Sequence, residues 1–163
     1  MDTGAEKRSP SCCLGLWLAI SLVAMLAASA LTRPGLQGWY AALSKPPWTP
    51  PPWLFGPVWV CLYAMMGVAA DLVWRKRHAT ATRLPLLLFS AQLLFNVAWA
   101  AIFFALRMPG AAFIDIAFLW CLILATLIMF WRRVPASGVL MLPYLAWVAF
   151  ASVLNFAIWR MNL

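Results

Sequence analysis

The chain has 163 residues, of which 66% are hydrophobic and 10% charged, with a mean hydropathy of +0.88 and a formal net charge of +8. Soluble domains are about half apolar and about a quarter charged, so the composition points to an integral membrane protein. The twelve Lys and Arg residues lie in short clusters between apolar runs and form no basic face, which argues against nucleic acid as a partner.

A membrane crossing needs about 20 predominantly apolar residues. Five stretches meet this, roughly 12–31, 53–74, 84–106, 110–131 and 136–159. The expected fold is therefore all-α, a bundle of five transmembrane helices over residues 12–163 behind a short tail, 1–11. The connections are short apart from 32–52, so consecutive helices are expected to run antiparallel.

In the tail and first span, Lys7, Arg8, an apolar run and Ala28-Ser29-Ala30 imitate a secretory signal peptide. The run is about 18 residues, longer than the usual 7–15, so a retained span is expected. Cys12 and Cys13 open this run, and Cys61 and Cys121 lie within later ones. None has metal-ligand spacing, and adjacent cysteines pair poorly, so all four read as small apolar fillers and no metal site is expected.

Residues 39–59 break the pattern. Trp39, Trp48, Trp53 and Trp59 alternate with Pro46, Pro47, Pro50, Pro51, Pro52 and Pro57. Proline fixes φ and removes a donor, so most of this segment is expected to be non-helical. It carries more aromatic surface than a linker needs, as a lid or wall for a large flat ligand would. At the start of the second span, Trp59 and Tyr63 are spaced to stack at i and i+4. At its end, Asp71 is placed to pair with the cations at 75–77.

Polar side chains inside membrane spans are functional candidates. Gln92, Asn96, Trp99 and Phe103 share one face of the third span, as polar glue between helices or as a stripe facing a cavity. Ala101 and Ala105 form a small-xxx-small pair there that permits close helix approach. Asp115, near the start of the fourth span, reads as a solvated or Arg107-paired carboxylate. Tyr144, Trp147, Ala151 and Asn155 form a second stripe on the fifth span, with Pro143 expected to kink the helix before it.

An odd number of spans puts the termini on opposite sides. Lys7, Arg8, Arg75, Lys76, Arg77, Arg83, Arg132 and Arg133 share one side; Arg33, Lys45, Arg107 and Arg160 share the other. The positive-inside rule then places the N-terminus in the cytoplasm and the 32–52 loop outside. Hydrolytic catalysis has no support, because the single His78 sits in a basic loop without a nucleophile or acid partner. There is no Gly-rich phosphate loop, and the internal repeats typical of secondary transporters are missing.

These residues resemble the tryptophan-rich sensory protein and translocator protein (TspO/MBR, peripheral-type benzodiazepine receptor) family. The matching stretches are Trp39-Tyr40 with Leu43-Ser44-Lys45-Pro46, Trp48-Thr49-Pro50-Pro51, and Trp53-Leu54-Phe55-Gly56-Pro57-Val58-Trp59 with Leu62-Tyr63. Ala91-Gln92-Leu93 with Asn96 and Trp99, Phe103-Phe104, Pro143-Tyr144-Leu145-Ala146-Trp147 with Ala149-Phe150, and Leu154-Asn155 complete the match over about residues 14–162. The resemblance implies a five-helix bundle, usually a homodimer, with a cavity capped by the first loop that binds porphyrins such as protoporphyrin IX, sterols and benzodiazepine-type ligands. It places Trp59 and Trp147 at the cavity positions implicated in light-dependent porphyrin breakdown, Asn96, Trp99 and Ala151 on the wall, and Trp39 and Tyr40 on the lid. One departure is Phe156, where the cholesterol motif proposed for animal members requires a tyrosine between an aliphatic residue and Arg160, so specific cholesterol recognition is not implied.

A porphyrin is a flat π-system bearing carboxylates, suited to aromatic walls with a few cations near the membrane edge. Trp59, Trp99 and Trp147 are the expected walls, with Tyr63, Gln92, Phe103, Tyr144 and Asn155 as further ligand-binding candidates. Lys45 or Arg33 would meet the carboxylates. The expected function is a tetrapyrrole receptor or binding protein, with porphyrin as ligand and no required cofactor. A porphyrin-degrading enzyme using Trp59 and Trp147 is the alternative, and a small-molecule transporter or membrane scaffold a third.

Overall fold

The computed structural model describes residues 10–36, 38–79 and 81–163, with side chains from residue 14 onward. Lys7, Arg8 and the side chains of Cys12 and Cys13 fall outside the described residues. Six helices follow one another: α1 (Pro10–Leu36), a single turn α2 (Trp39–Ala42), α3 (Pro52–Trp74), α4 (Arg83–Ala100), α5 (Pro109–Arg133) and α6 (Pro135–Met161). All but α2 are long and apolar enough to cross a membrane, α4 counting with its continuation to Ala105. In hydrocarbon every backbone donor and acceptor must be met within the segment, which leaves the helix as the conformation open to runs of this composition.

Three starts are set by proline. Pro52, Pro109 and Pro135 open α3, α5 and α6, where the missing N–H has no intrahelical partner to lose. The proline-rich segment therefore divides differently from expectation. α1 runs on through Pro34 to Leu36, so the loop is not 32–52 but 37–51, with α2 inside it. The other edge falls as expected, with Trp53 in the first turn of α3 and Pro57 carried within that helix. Pro143 is likewise carried inside a continuous α6.

The helices form a ring in the order α1, α3, α6, α5, α4 and back to α1. α3 and α4 are neighbours in sequence but barely meet, facing each other across the interior. Cross-helix contacts give the directions. Early α1 meets late α3 where Trp17 lies 5.8 Å from Trp74, and early α4 meets late α5 where Phe89 stacks on Phe130 at 5.9 Å. Successive spans thus alternate, and the bundle has a basic end (residues 75–83 and 132–133) and a lid end (37–51 and 106–108).

Packing differs between the two ends. Met66, Ala69, Val73, Phe89, Ile123, Phe130 and Met141 are fully buried in one cluster toward the basic end. Toward the lid end the helices separate. Two glycines hold α1 at either extremity of this gap. A Cβ on Gly67 of α3 would fall 3.1 Å from the Leu18 Cα, and one on Gly35 of α1 would fall 2.5 Å from the Phe104 carbonyl oxygen. Only a residue without a side chain lets the backbones approach so closely.

α4 ends in a π turn, Ala101–Ala105, with Leu106 N–H bonding to Ala101 O at 2.8 Å and Arg107 at φ 58° closing the turn. The wider turn lets the adjacent Phe103 and Phe104 both face inward, against Tyr40 at 6.1 and 5.5 Å. Within the chain, a close backbone approach in this turn is made by Phe104 with Gly35. Asp71 pairs with Arg75, Oδ2 to Nε at 2.6 Å, as its position promised. Asp115 makes no ion pair with Arg107; its Oδ2 is buried without a partner among the described residues.

Candidate ligand cavity

The gap at the lid end is a cavity of about 500 Å³, within the range of about 300–1,000 Å³ typical of small-molecule sites. α3 contributes Trp59 and Tyr63, α4 and its π turn contribute Asn96, Trp99, Phe103 and Phe104, and α6 contributes Trp147, Ala151 and Asn155. Tyr40 of α2 closes the top. The two stripes read from the sequence thus face each other across one space, with the Trp59–Tyr63 pair, 5.7 Å apart, completing the wall.

Aromatic geometry defines the walls. Trp99 stacks on Phe103 at 5.4 Å with 27° between planes, forming one flat panel. Its indole Nε1 donates to Asn155 Oδ1 at 2.9 Å, while Asn155 Nδ2 donates to the Pro109 carbonyl at 2.8 Å. Asn155 therefore fixes the panel and ties α4 and α6 to the start of α5. Trp147 packs against Phe55 and Phe150, and its Nε1 is buried without a hydrogen-bond partner among the described residues.

A chain of hydrogen bonds forms the floor. The Tyr63 hydroxyl donates to Asn96 Oδ1 at 2.6 Å, and Asn96 Nδ2 donates to the Tyr144 hydroxyl at 3.0 Å. Tyr144 in turn donates to Gln92 Oε1 at 2.8 Å, and Gln92 Nε2 contacts Met66 Sδ at 3.8 Å. Tyr63 and Asn96 border the cavity; Gln92 and Tyr144 lie beneath it, fully buried. The two amides do not bond each other. Each reaches Tyr144, so one hydroxyl links α4 to α6.

The lid is tied down. Asn162, at the end of α6, accepts from the Ser44 N–H at 3.0 Å and donates to the Ser44 carbonyl at 2.9 Å. Lys45 Nζ donates to the carbonyls of Tyr40, Ala41 and Leu43 at 2.6, 3.2 and 3.0 Å, closing the C-terminus of α2. Burial raises the Tyr40 phenol above its ordinary value, so it remains a neutral group there. Trp48 meets Phe150 edge-on at 5.9 Å, and Trp39 packs on the outer side of Phe103 at 5.6 Å.

Two expectations shift accordingly. Lys45 is committed to the lid backbone and does not border the cavity, leaving Arg33 as the cation on its lining. Trp39, Gln92 and Tyr144 support the site from behind and do not line it. Phe156 turns away from the cavity onto Phe113 and Trp159, at 5.2 and 6.1 Å. The largest contribution the sequence reading missed is α1, where Met25, Ser29, Thr32 and Leu36 line the cavity with Arg33. Their spacing of four, three and four was a legible signal, masked by the uniform hydropathy of the run.

Comparison with known proteins places this arrangement among relatives. The sequence pattern that defines the TspO/MBR family matches residues 17–160. The tryptophan-rich protein TspO of Chlorobaculum tepidum is 40% identical over 154 residues, covering 92% of this chain and 93% of its own. Human translocator protein is 39% identical over 151 residues, covering 91% and 89%. The tryptophan-rich sensory protein of Cereibacter sphaeroides is 35% identical over 133 residues, covering 82% and 81%.

Proposed function

The chain belongs to the TspO/MBR family of integral, multi-pass membrane proteins, and on that footing we propose that its cavity binds a tetrapyrrole of the protoporphyrin IX type. The observation that carries the reading is the pairing of flat aromatic walls with one cation at the edge. The Trp99–Phe103 panel, Trp59 and Trp147 offer π-faces, while Arg33, exposed near the end of α1, can meet a carboxylate. The floor amide Asn96 supplies a polar group that fixes orientation. The same apolar walls admit a sterol without the specific hydroxyl recognition that Phe156 forgoes.

We place the lid outside and the N-terminus in the cytoplasm, in keeping with the cation distribution, and take the working unit to be a homodimer, which mass measurement in nanodiscs checks. Titration with protoporphyrin IX should quench tryptophan fluorescence. Trp59→Phe and Trp147→Phe should each weaken binding about twofold to tenfold, the loss of about 0.5–1.5 kcal/mol of aromatic contact. Arg33→Gln should weaken protoporphyrin IX but not its dimethyl ester, and Lys45→Gln should discriminate neither. Unchanged affinity in both tryptophan variants would refute the cavity assignment.

A second reading, light-dependent breakdown of the bound porphyrin, draws on Trp59 and Trp147 both bordering the cavity. It predicts bleaching to a new product under illumination in the wild type, abolished in the double Phe variant.

A further inference from the structure

The cavity has a side as well as a top. Its lining residues on α4 and α6 are buried or half-buried, whereas Ser29 and Arg33 of α1 and Trp53, Gly56 and Val60 of α3 are exposed. The exposed rim thus lies on the facing edges of two neighbouring helices, within the span that the bilayer surrounds. The top is held shut by Asn162 on Ser44 and by Lys45 on α2.

Below this rim a second, smaller hollow of about 210 Å³ continues along the same seam. It is formed by Leu18, Leu22 and Met25 of α1 with Val60, Tyr63 and Ala64 of α3, and Met25, Val60 and Tyr63 border both spaces. Met25 lies eight residues below Arg33, about 12 Å at about 1.5 Å per residue, close to the midplane of a hydrocarbon layer of about 30 Å. At that depth the surrounding solvent is acyl chain. No charged side chain lines the hollow, and its size takes a chain segment rather than a ring system.

We propose that the α1–α3 seam holds an acyl chain of a bilayer lipid, and that it is the doorway through which apolar ligands pass sideways between bilayer and cavity. The chain is displaced as a ligand enters and returns when it leaves. α1 makes close backbone approaches at Gly67 and Gly35, and the hollow lies between them with the flexible side chain of Met25 on its wall, so the seam can widen without releasing either end. The doorway half rests on the tetrapyrrole reading; the lipid half does not.

The lipid half is tested in nanodiscs containing phosphatidylcholine with a diazirine at the acyl-chain end. After photolysis, adducts should concentrate on Leu22, Met25, Val60 and Ala64 at least threefold over Ile114 and Phe118 of α5, which are more exposed than Leu22, Met25 and Val60. Labelling in proportion to exposure, or a seam protected by a second copy, overturns it. The doorway half is tested with Gly56→Phe and Val60→Phe. A Cβ at Gly56 meets nothing within 4 Å, so the ring can fill the seam without disturbing the helix.

Association and dissociation of protoporphyrin IX should slow by the same factor, tenfold or more, while Asn162→Ala leaves both rates unchanged. Faster exchange in Asn162→Ala with unchanged rates in the seam variants would move the entrance to the lid and overturn the doorway. Absence of wild-type binding would refute the tetrapyrrole reading, whereas the lipid labelling stands or falls without it.

Discussion

Replacing Tyr144 by Phe removes one oxygen from a fully enclosed position and tests whether the polar floor holds the bundle together. That hydroxyl accepts from Asn96 Nδ2 and donates to Gln92 Oε1, so its loss leaves a donor and an acceptor without partners. Polar contacts between membrane helices average about 0.6 kcal/mol each, which sets a floor of about 1.2 kcal/mol for two. A buried group left unsatisfied costs about 1–3 kcal/mol, so two orphans set an upper range of several kcal/mol. Rotation of Gln92 toward another partner would recover part of this, and a loss of about 2 kcal/mol is expected.

Tyr63→Phe orphans only Asn96 Oδ1 and should cost about half as much. Unfolding in mixed micelles with increasing SDS reads both values. Combining Tyr144→Phe with Gln92→Met should give a loss smaller than the sum, because the second change removes an orphan created by the first. Equal losses for the two tyrosines, or strict additivity in the double variant, would refute the chain of bonds as a stabilising unit.

Gly67→Val should destabilise the bundle by about 1–3 kcal/mol through overpacking against Leu18, while Gly15→Ala, whose Cβ meets open space, should be neutral or stabilising; thermal unfolding in detergent measures both. Asn162→Ala should raise hydrogen exchange at the Ser44 amide by about fivefold or more without changing exchange in α3. Because burial raises the Tyr40 phenol, the folded lid holds that proton more tightly than the unfolded chain does. Its contribution to lid stability is complete below the unfolded value near 10 and is lost as pH rises beyond it. Absorbance at 295 nm should therefore show Tyr40 ionising later than free tyrosine, a difference absent in Tyr40→Phe.

Much of this architecture was legible because lipid imposes so few backbone solutions. Twenty-residue apolar runs give the spans, and i, i+4 spacing brought Asn96, Trp99 and Phe103 opposite Trp147, Ala151 and Asn155. What stayed hidden depends on tertiary neighbours. Proline is tolerated at Pro34 within a helix, so a rule about proline alone misplaced the first edge of the lid. The π turn has no pattern of its own; it exists because Phe103, Phe104 and Gly35 pack as they do. Lys45 looked like a cation for ligands because three backbone carbonyls that capture it come together only once α2 forms. The role of α1 escaped because a uniformly apolar helix shows little contrast between its lipid face and its cavity face.

The central claim is that the space between the two aromatic stripes is the binding site. Ala151 sits on its wall, half-buried, between Trp147 and Asn155. Ala151→Trp should fill that space while keeping the helix intact. Equilibrium titration of this variant with protoporphyrin IX, beside a lipid-facing control at Val153, is the most direct measurement. At least a tenfold loss of affinity confined to Ala151→Trp is the predicted result, and wild-type affinity in a folded Ala151→Trp protein would contradict the account.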